Sequence, residues 1–145
     1  MVLPLLTRID HVGIACADLE RTVGLYQATF GLEVVSMEVV ADQGVREAML
    51  RVGPGAAGPG YVQLLEPLDD DTPVGRFLAR RGEGLHHVGY GVSDIGSALA
   101  EIAGTGIRLI DSRPRHGSMG ASIAFLHPGD LGGVLTELVE FAGQA

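Results

Sequence analysis

The strongest constraint on this chain is that it is written twice. Asp10-His11-Val12-Gly13-Ile14-Ala15-Cys16-Ala17-Asp18 returns as His86-His87-Val88-Gly89-Tyr90-Gly91-Val92-Ser93-Asp94, so both copies read x-His-Val-Gly-x-x-x-x-Asp. A second segment, Tyr61-Val62-Gln63-Leu64-Leu65-Glu66, is matched at nearly the same offset by Leu135-Thr136-Glu137-Leu138-Val139-Glu140. Two independent matches at nearly one spacing, in a chain of 145 residues, mark a duplicated module.

Each copy reads as strand, helix, strand, strand, strand. Residues 8–16 alternate and are β-rich. Asp18 caps a helix over 19–30, with Leu19, Val23, Tyr26 and Phe30 at near-helical spacing, and Gly31 ends it. Strands are predicted near 33–41, 44–52 and 60–66, with a Gly/Pro/Ala loop from Gly53 to Gly60. The second copy gives a strand at 84–92, a helix at 95–104 after Asp94, then strands near 107–112, 121–127 and 133–140. The fold class expected is α+β: two paired βαβββ modules, 8–66 and 84–140, forming an open half-barrel cup within a single domain, 1–145. Residues 67–83 link the copies, with Asp69-Asp70-Asp71-Thr72-Pro73 as an acidic turn opening a helix and an apolar-spaced run through Leu78.

Composition removes several function classes. The net charge of −8 argues against nucleic acid, whose phosphates require clustered cations. All ten basic side chains are arginine, so no lysine Schiff base can form. A hydrophobic share of 46% supports a packed core, but no apolar run reaches the length of a membrane span. Met1 to Thr7 is short and lacks a basic region, so no signal peptide is expected. The single cysteine, Cys16, allows no internal disulfide and fits a reducing, cytoplasmic location. It falls in a β-rich segment and reads as a small core residue.

Four polar residues recur in pairs inside otherwise apolar strands. His11 and His87 lie in the first strand of each copy, and Gln63 and Glu137 in the last. One histidine on a strand is ordinarily a packing residue. Four polar groups at repeat-equivalent positions need a common partner, because each left unsatisfied in a core costs about 1–3 kcal/mol. Two imidazole nitrogens and two oxygens suit a divalent metal with coordination positions left for a substrate. His86 points to the other face of its strand from His87 and reads as a packing residue. The copies differ at one place. Aligning Leu50 with Leu126 sets Glu47 against Ile123, so one copy carries a carboxylate where the other is apolar. A hairpin of strands 44–52 and 60–66 brings Glu47 near Gln63.

The paired modules resemble the vicinal-oxygen-chelate superfamily. Within it, Asp42-Gln43-Gly44-Val45-Arg46-Glu47, Gly82-Glu83-Gly84-Leu85-His86-His87, Phe125-Leu126-His127-Pro128 and Gly132-Gly133-Val134-Leu135-Thr136-Glu137-Leu138 resemble the methylmalonyl-CoA epimerase family. The resemblance runs from about Arg8 to Glu140. It implies metal ligands at His11, Gln63, His87 and Glu137, with Glu47 and Glu137 as the acid–base pair. It also implies metal-dependent interconversion of (2R)- and (2S)-methylmalonyl-CoA by α-proton abstraction, through a metal-stabilised thioester enolate. The metal expected is divalent: Co²⁺ first, with Mn²⁺, Mg²⁺, Ni²⁺ or Zn²⁺ compatible. The implied partner is an acyl-CoA thioester, with no nucleic acid and no membrane, and a homodimer is implied by analogy. Arg80, Arg81, Arg113 and Arg115 are candidates for the CoA phosphates. Family members often carry lysine after the His-Pro pair. Gly129 stands there, which implies either a weaker contact to the anionic substrate or its replacement by Arg113 or Arg115. Alternative readings are an ethylmalonyl-CoA epimerase, a glyoxalase-like lyase or isomerase, an iron dioxygenase, for which the fourth ligand Gln63 fits poorly, and a non-catalytic binding protein.

Overall fold

The computed structural model describes residues 5–53 and 60–141. The loop expected between Gly53 and Gly60 therefore falls mostly outside the described residues. The chain is α+β and divides into two compact units, His11–His86 and Met1–Asp10 with His87–Ala145. The elements run β1 (Leu6–Ala15), α1 (Leu19–Phe30), β2 (Glu33–Val40), β3 (Val45–Val52), β4 (Gly60–Pro67), α2 (Pro73–Arg81), β5 (Gly84–Val92), α3 (Ile95–Ala103), β6 (Arg115–His116), β7 (Ser122–Leu126) and β8 (Thr136–Glu140). The βαβββ order therefore holds in both copies.

In the first unit the strands lie in the order β2-β3-β4-β1. β1 and β4 run parallel, and β2, β3 and β4 are antiparallel neighbours. α1 begins where Asp18 accepts the Arg21 N–H at 3.1 Å and stops at Gly31, whose φ of 68° suits a residue without a β-carbon. Leu19 and Val23 pack it against Cys16, Ala48, Leu50 and Leu64 on one sheet face. Phe30, expected on that apolar face, is 65% exposed and meets only the Tyr26 ring among the described aromatic contacts, at 5.7 Å. Burial pushes the Cys16 thiol up to about 11, so it is a core group and not a nucleophile at neutral pH. The opposite face is covered at one end by α2, which Thr72 caps through the Gly75 N–H. Val74 of α2 packs there with Ala15, Val40, Val45 and Leu65.

In the second unit the order is β5-β8-β7-β6. Ile95, Ala98 and Leu99 of α3 seal one face against Val92, Ala124, Leu126 and Leu138. The strand expected at 107–112 does not form; only a Leu109–Leu126 bridge remains. The reason is local. The Ile110 and Asp111 amides both donate to the Phe125 carbonyl, and the Asp111 carboxylate takes the Phe125 N–H at 2.9 Å, so a side chain occupies a ladder position. Pairing resumes only in the two-residue β6. β8 begins at Thr136 and not at 133, because Gly132 and Gly133 turn the chain at φ 70° and 87°.

The repeat also explains Glu66 and Glu140, the last residues of the matched strand segments. Glu66 accepts the Leu19 N–H at 2.8 Å and Glu140 the Ile95 N–H at 2.7 Å. Each carboxylate thus meets the unsatisfied donors and positive end of the helix in its own unit.

One exposed pair gives a pH prediction. The Arg108 guanidinium beside Asp130 lowers that carboxyl to about 2, and also anchors the Pro128–Asp130 turn. A folded-state value below the unfolded one contributes stability above the unfolded value, lost as pH falls through the folded one. Wild type is therefore expected to melt higher than Asp130→Asn at pH 6, with the gap closing as pH falls from about 4 to about 2. Paired melts across that range check it.

Candidate active site

The first unit gathers three sequence-selected residues on one sheet face. Directly paired residues share a face, so the register Met49↔Gln63 and Glu47↔Leu65 puts Glu47 and Gln63 together. The β1–β4 register, His11↔Tyr61 and Gly13↔Gln63, places His11 on that same face. All three side chains are buried, at 4% exposure or less. The Gln63 amide donates from Nε2 to Glu47 Oε2 at 2.5 Å, which fixes the carboxyl's orientation. Opposite Glu47, on the outer strand, stands the half-buried Glu38, which the sequence reading did not single out.

The second unit carries the other pair. His87 Nε2 lies 3.5 Å from Glu137 Oε1, and both side chains are almost fully buried. Two ligands of one ion, each about 2.1 Å from it, stand about 3–3.5 Å apart, so this pair has the spacing of neighbouring ligands. The Phe125 ring meets the His87 ring edge-on at 5.5 Å and limits its rotation. Gly89 lies beside Glu137 just as Gly13 lies beside Gln63. The repeated His-Val-Gly thus sets a side-chain-free position next to each long polar side chain.

The remaining candidates separate clearly. His86 is a packing residue, edge-on to Phe77 at 5.0 Å. His127 accepts the Gly129 N–H and shapes a turn. Arg80, Arg81 and Arg113 are exposed, whereas Arg115 is partly buried and bridges to Asp111 at 3.0 Å. Two partners the sequence reading missed are Asp111 and Phe125. Their roles come from register, which no local pattern in 107–112 announces.

Comparison with known proteins places this geometry. The model of the Glyoxalase/Bleomycin resistance protein/Dioxygenase superfamily matches residues 10–125. Streptomyces coelicolor methylmalonyl-CoA epimerase, solved as a Glu-to-Gln variant with 2-nitronate-propionyl-CoA, is 52% identical, with a TM-score of 0.92 over 95% of this chain and 99% of that one. The chain belongs to the methylmalonyl-CoA epimerase family of this superfamily. Methylmalonyl-CoA epimerase from Mycobacterium tuberculosis is 40% identical, with a TM-score of 0.90 over 98% of this chain and 93% of that one. The ethylmalonyl-CoA/methylmalonyl-CoA epimerase of Cereibacter sphaeroides is 35% identical over 90% of this chain and 96% of its own length. Among the described residues no helix is long and apolar enough to cross a membrane.

Proposed function

We propose that this chain interconverts (2R)- and (2S)-methylmalonyl-CoA, with His11, Gln63, His87 and Glu137 holding one divalent metal ion and the two units acting as one domain. The observation that carries the reading is a buried carboxylate, Glu47, hydrogen-bonded to a proposed ligand in one copy while Ile123 fills its place in the other. A scaffold role would not need that asymmetry. The ligand set is two nitrogens and two oxygens, which accepts Co²⁺ first and Mn²⁺, Mg²⁺, Ni²⁺ or Zn²⁺ as well. When bound, the ion supplies Lewis-acid stabilisation of charge on the thioester oxygen.

The protein's own groups do the rest. Glu47 removes or returns the α-proton on one face of the substrate, and Glu137 is the second acid–base group. Their burial excludes bulk water from the proton path. A cytoplasmic homodimer is the expected setting.

The test is α-proton exchange of methylmalonyl-CoA in D₂O, followed by NMR. Exchange with loss of stereochemical purity is expected. No exchange with any of the five metals would sink the reading, and turnover of a hemithioacetal instead would move it to glyoxalase-like chemistry. The Cereibacter relative's name specifically favours assaying ethylmalonyl-CoA in parallel.

A further inference from the structure

The two copies diverge at a second position, and register reveals it. Met49 pairs with Gln63 in one unit and Phe125 with Glu137 in the other, so Glu47 and Ile123 are true equivalents. One strand further out, Glu38 pairs with Glu47 and Arg115 pairs with Ile123. The duplication therefore has a carboxylate pair, Glu38 and Glu47, in one copy, where the other has a cation over an apolar residue.

Arg115 is held for use. It shares the sheet face of Glu137, since Ile123 and Phe125 alternate on that face. Its Nε faces Asp111 Oδ1 at 3.0 Å, and Asp111 is itself fixed by the Phe125 N–H. Its guanidinium carbon lies 6.0 Å from the centre of the Phe125 ring, the same ring that meets His87 edge-on. The floor around it is apolar, built from Ile123, Phe125 and Val139, which strengthens any charge interaction made there. The side chain is still 35% exposed, so a ligand can reach it.

Other cations of this unit are placed differently. Arg8 turns both Nε and Nη2 to Asp10. Arg108 is tied to Asp130, and a β-carbon at Gly129 would point at Arg108 and the His127 ring. A side chain after the His-Pro pair would thus start against the Arg108 guanidinium and the His127 ring.

We propose that Arg115 receives the free carboxylate of the malonyl-type acyl group. The proposal rests on the epimerase reading above. Removing a proton beside a carboxylate places two negative charges on neighbouring atoms, and a fixed guanidinium lowers that cost. Its planar fork matches a carboxylate in a way a point charge does not.

The experiment measures binding by calorimetry to the full chain in its metal-loaded form, with two probes. Methylmalonyl-CoA carries the carboxylate; propionyl-CoA has the same thioester and CoA without it. Arg115→Gln is expected to weaken methylmalonyl-CoA about 10- to 100-fold, the effect of one charged hydrogen-bonded contact. Propionyl-CoA should change less than about twofold, and Arg115→Lys should recover part of the loss. Equal weakening of both probes, or no change in either, overturns the proposal; Arg115→Lys decides it if the glutamine variant does not fold. Failure of the epimerase reading shows separately, as absence of wild-type α-proton exchange while the probes still bind.

Discussion

Glu47→Gln is expected to cut α-proton exchange and epimerisation of methylmalonyl-CoA about 10²- to 10⁴-fold, the range for loss of a positioned acid–base group. The substitution keeps the shape of the side chain and leaves an oxygen to accept from Gln63 Nε2, the present 2.5 Å contact. It also keeps the volume of a side chain that is 1% exposed, so the variant should fold and melt close to wild type. A slow but fully folded enzyme is the outcome that assigns Glu47 to proton transfer. Near-wild-type exchange in a folded variant would make Glu47 structural and leave Glu137 without its partner.

Removing the metal is expected to be as severe. Chelation should abolish exchange, and restoring a divalent ion, Co²⁺ first, should return it. An ion present at about 100 times its dissociation constant contributes about 2.7 kcal/mol to the folded state. At roughly 2–4 °C per kcal/mol for a chain of this size, the melting point should fall about 5–10 °C on chelation. His87→Ala and Glu137→Gln should lose that metal-dependent increment, while Glu47→Gln keeps it. This separates ligand from base by a thermal measurement independent of turnover. An unchanged melting point in wild type, with activity insensitive to chelator, would remove the metal from the proposal.

Many element bounds are legible in the sequence to within a residue or two, except where a side chain replaces a backbone partner. α1 is capped at Asp18 and ended by Gly31, both local signals, and its range matches the expectation. The 107–112 strand did not form, because Asp111 bonds to Phe125 across a long sequence gap. Alternation in that segment carries no information about such a bond. Glu66 and Glu140 were visible as repeated residues but not as helix clamps, since their partners Leu19 and Ile95 lie 47 and 45 positions away.

The site divides in the same way. Repetition alone selected His11, Gln63, His87 and Glu137, and the break in repetition selected Glu47, because a duplicated chain makes every departure from its own copy visible. Only the tertiary structure decided that Gln63 grips Glu47, that Phe125 braces His87, and that Arg115 shares the face of Glu137 while Arg113 stays outside. Those relations depend on strand register, and register is settled by which faces are buried and which side chains can satisfy one another across the sheet.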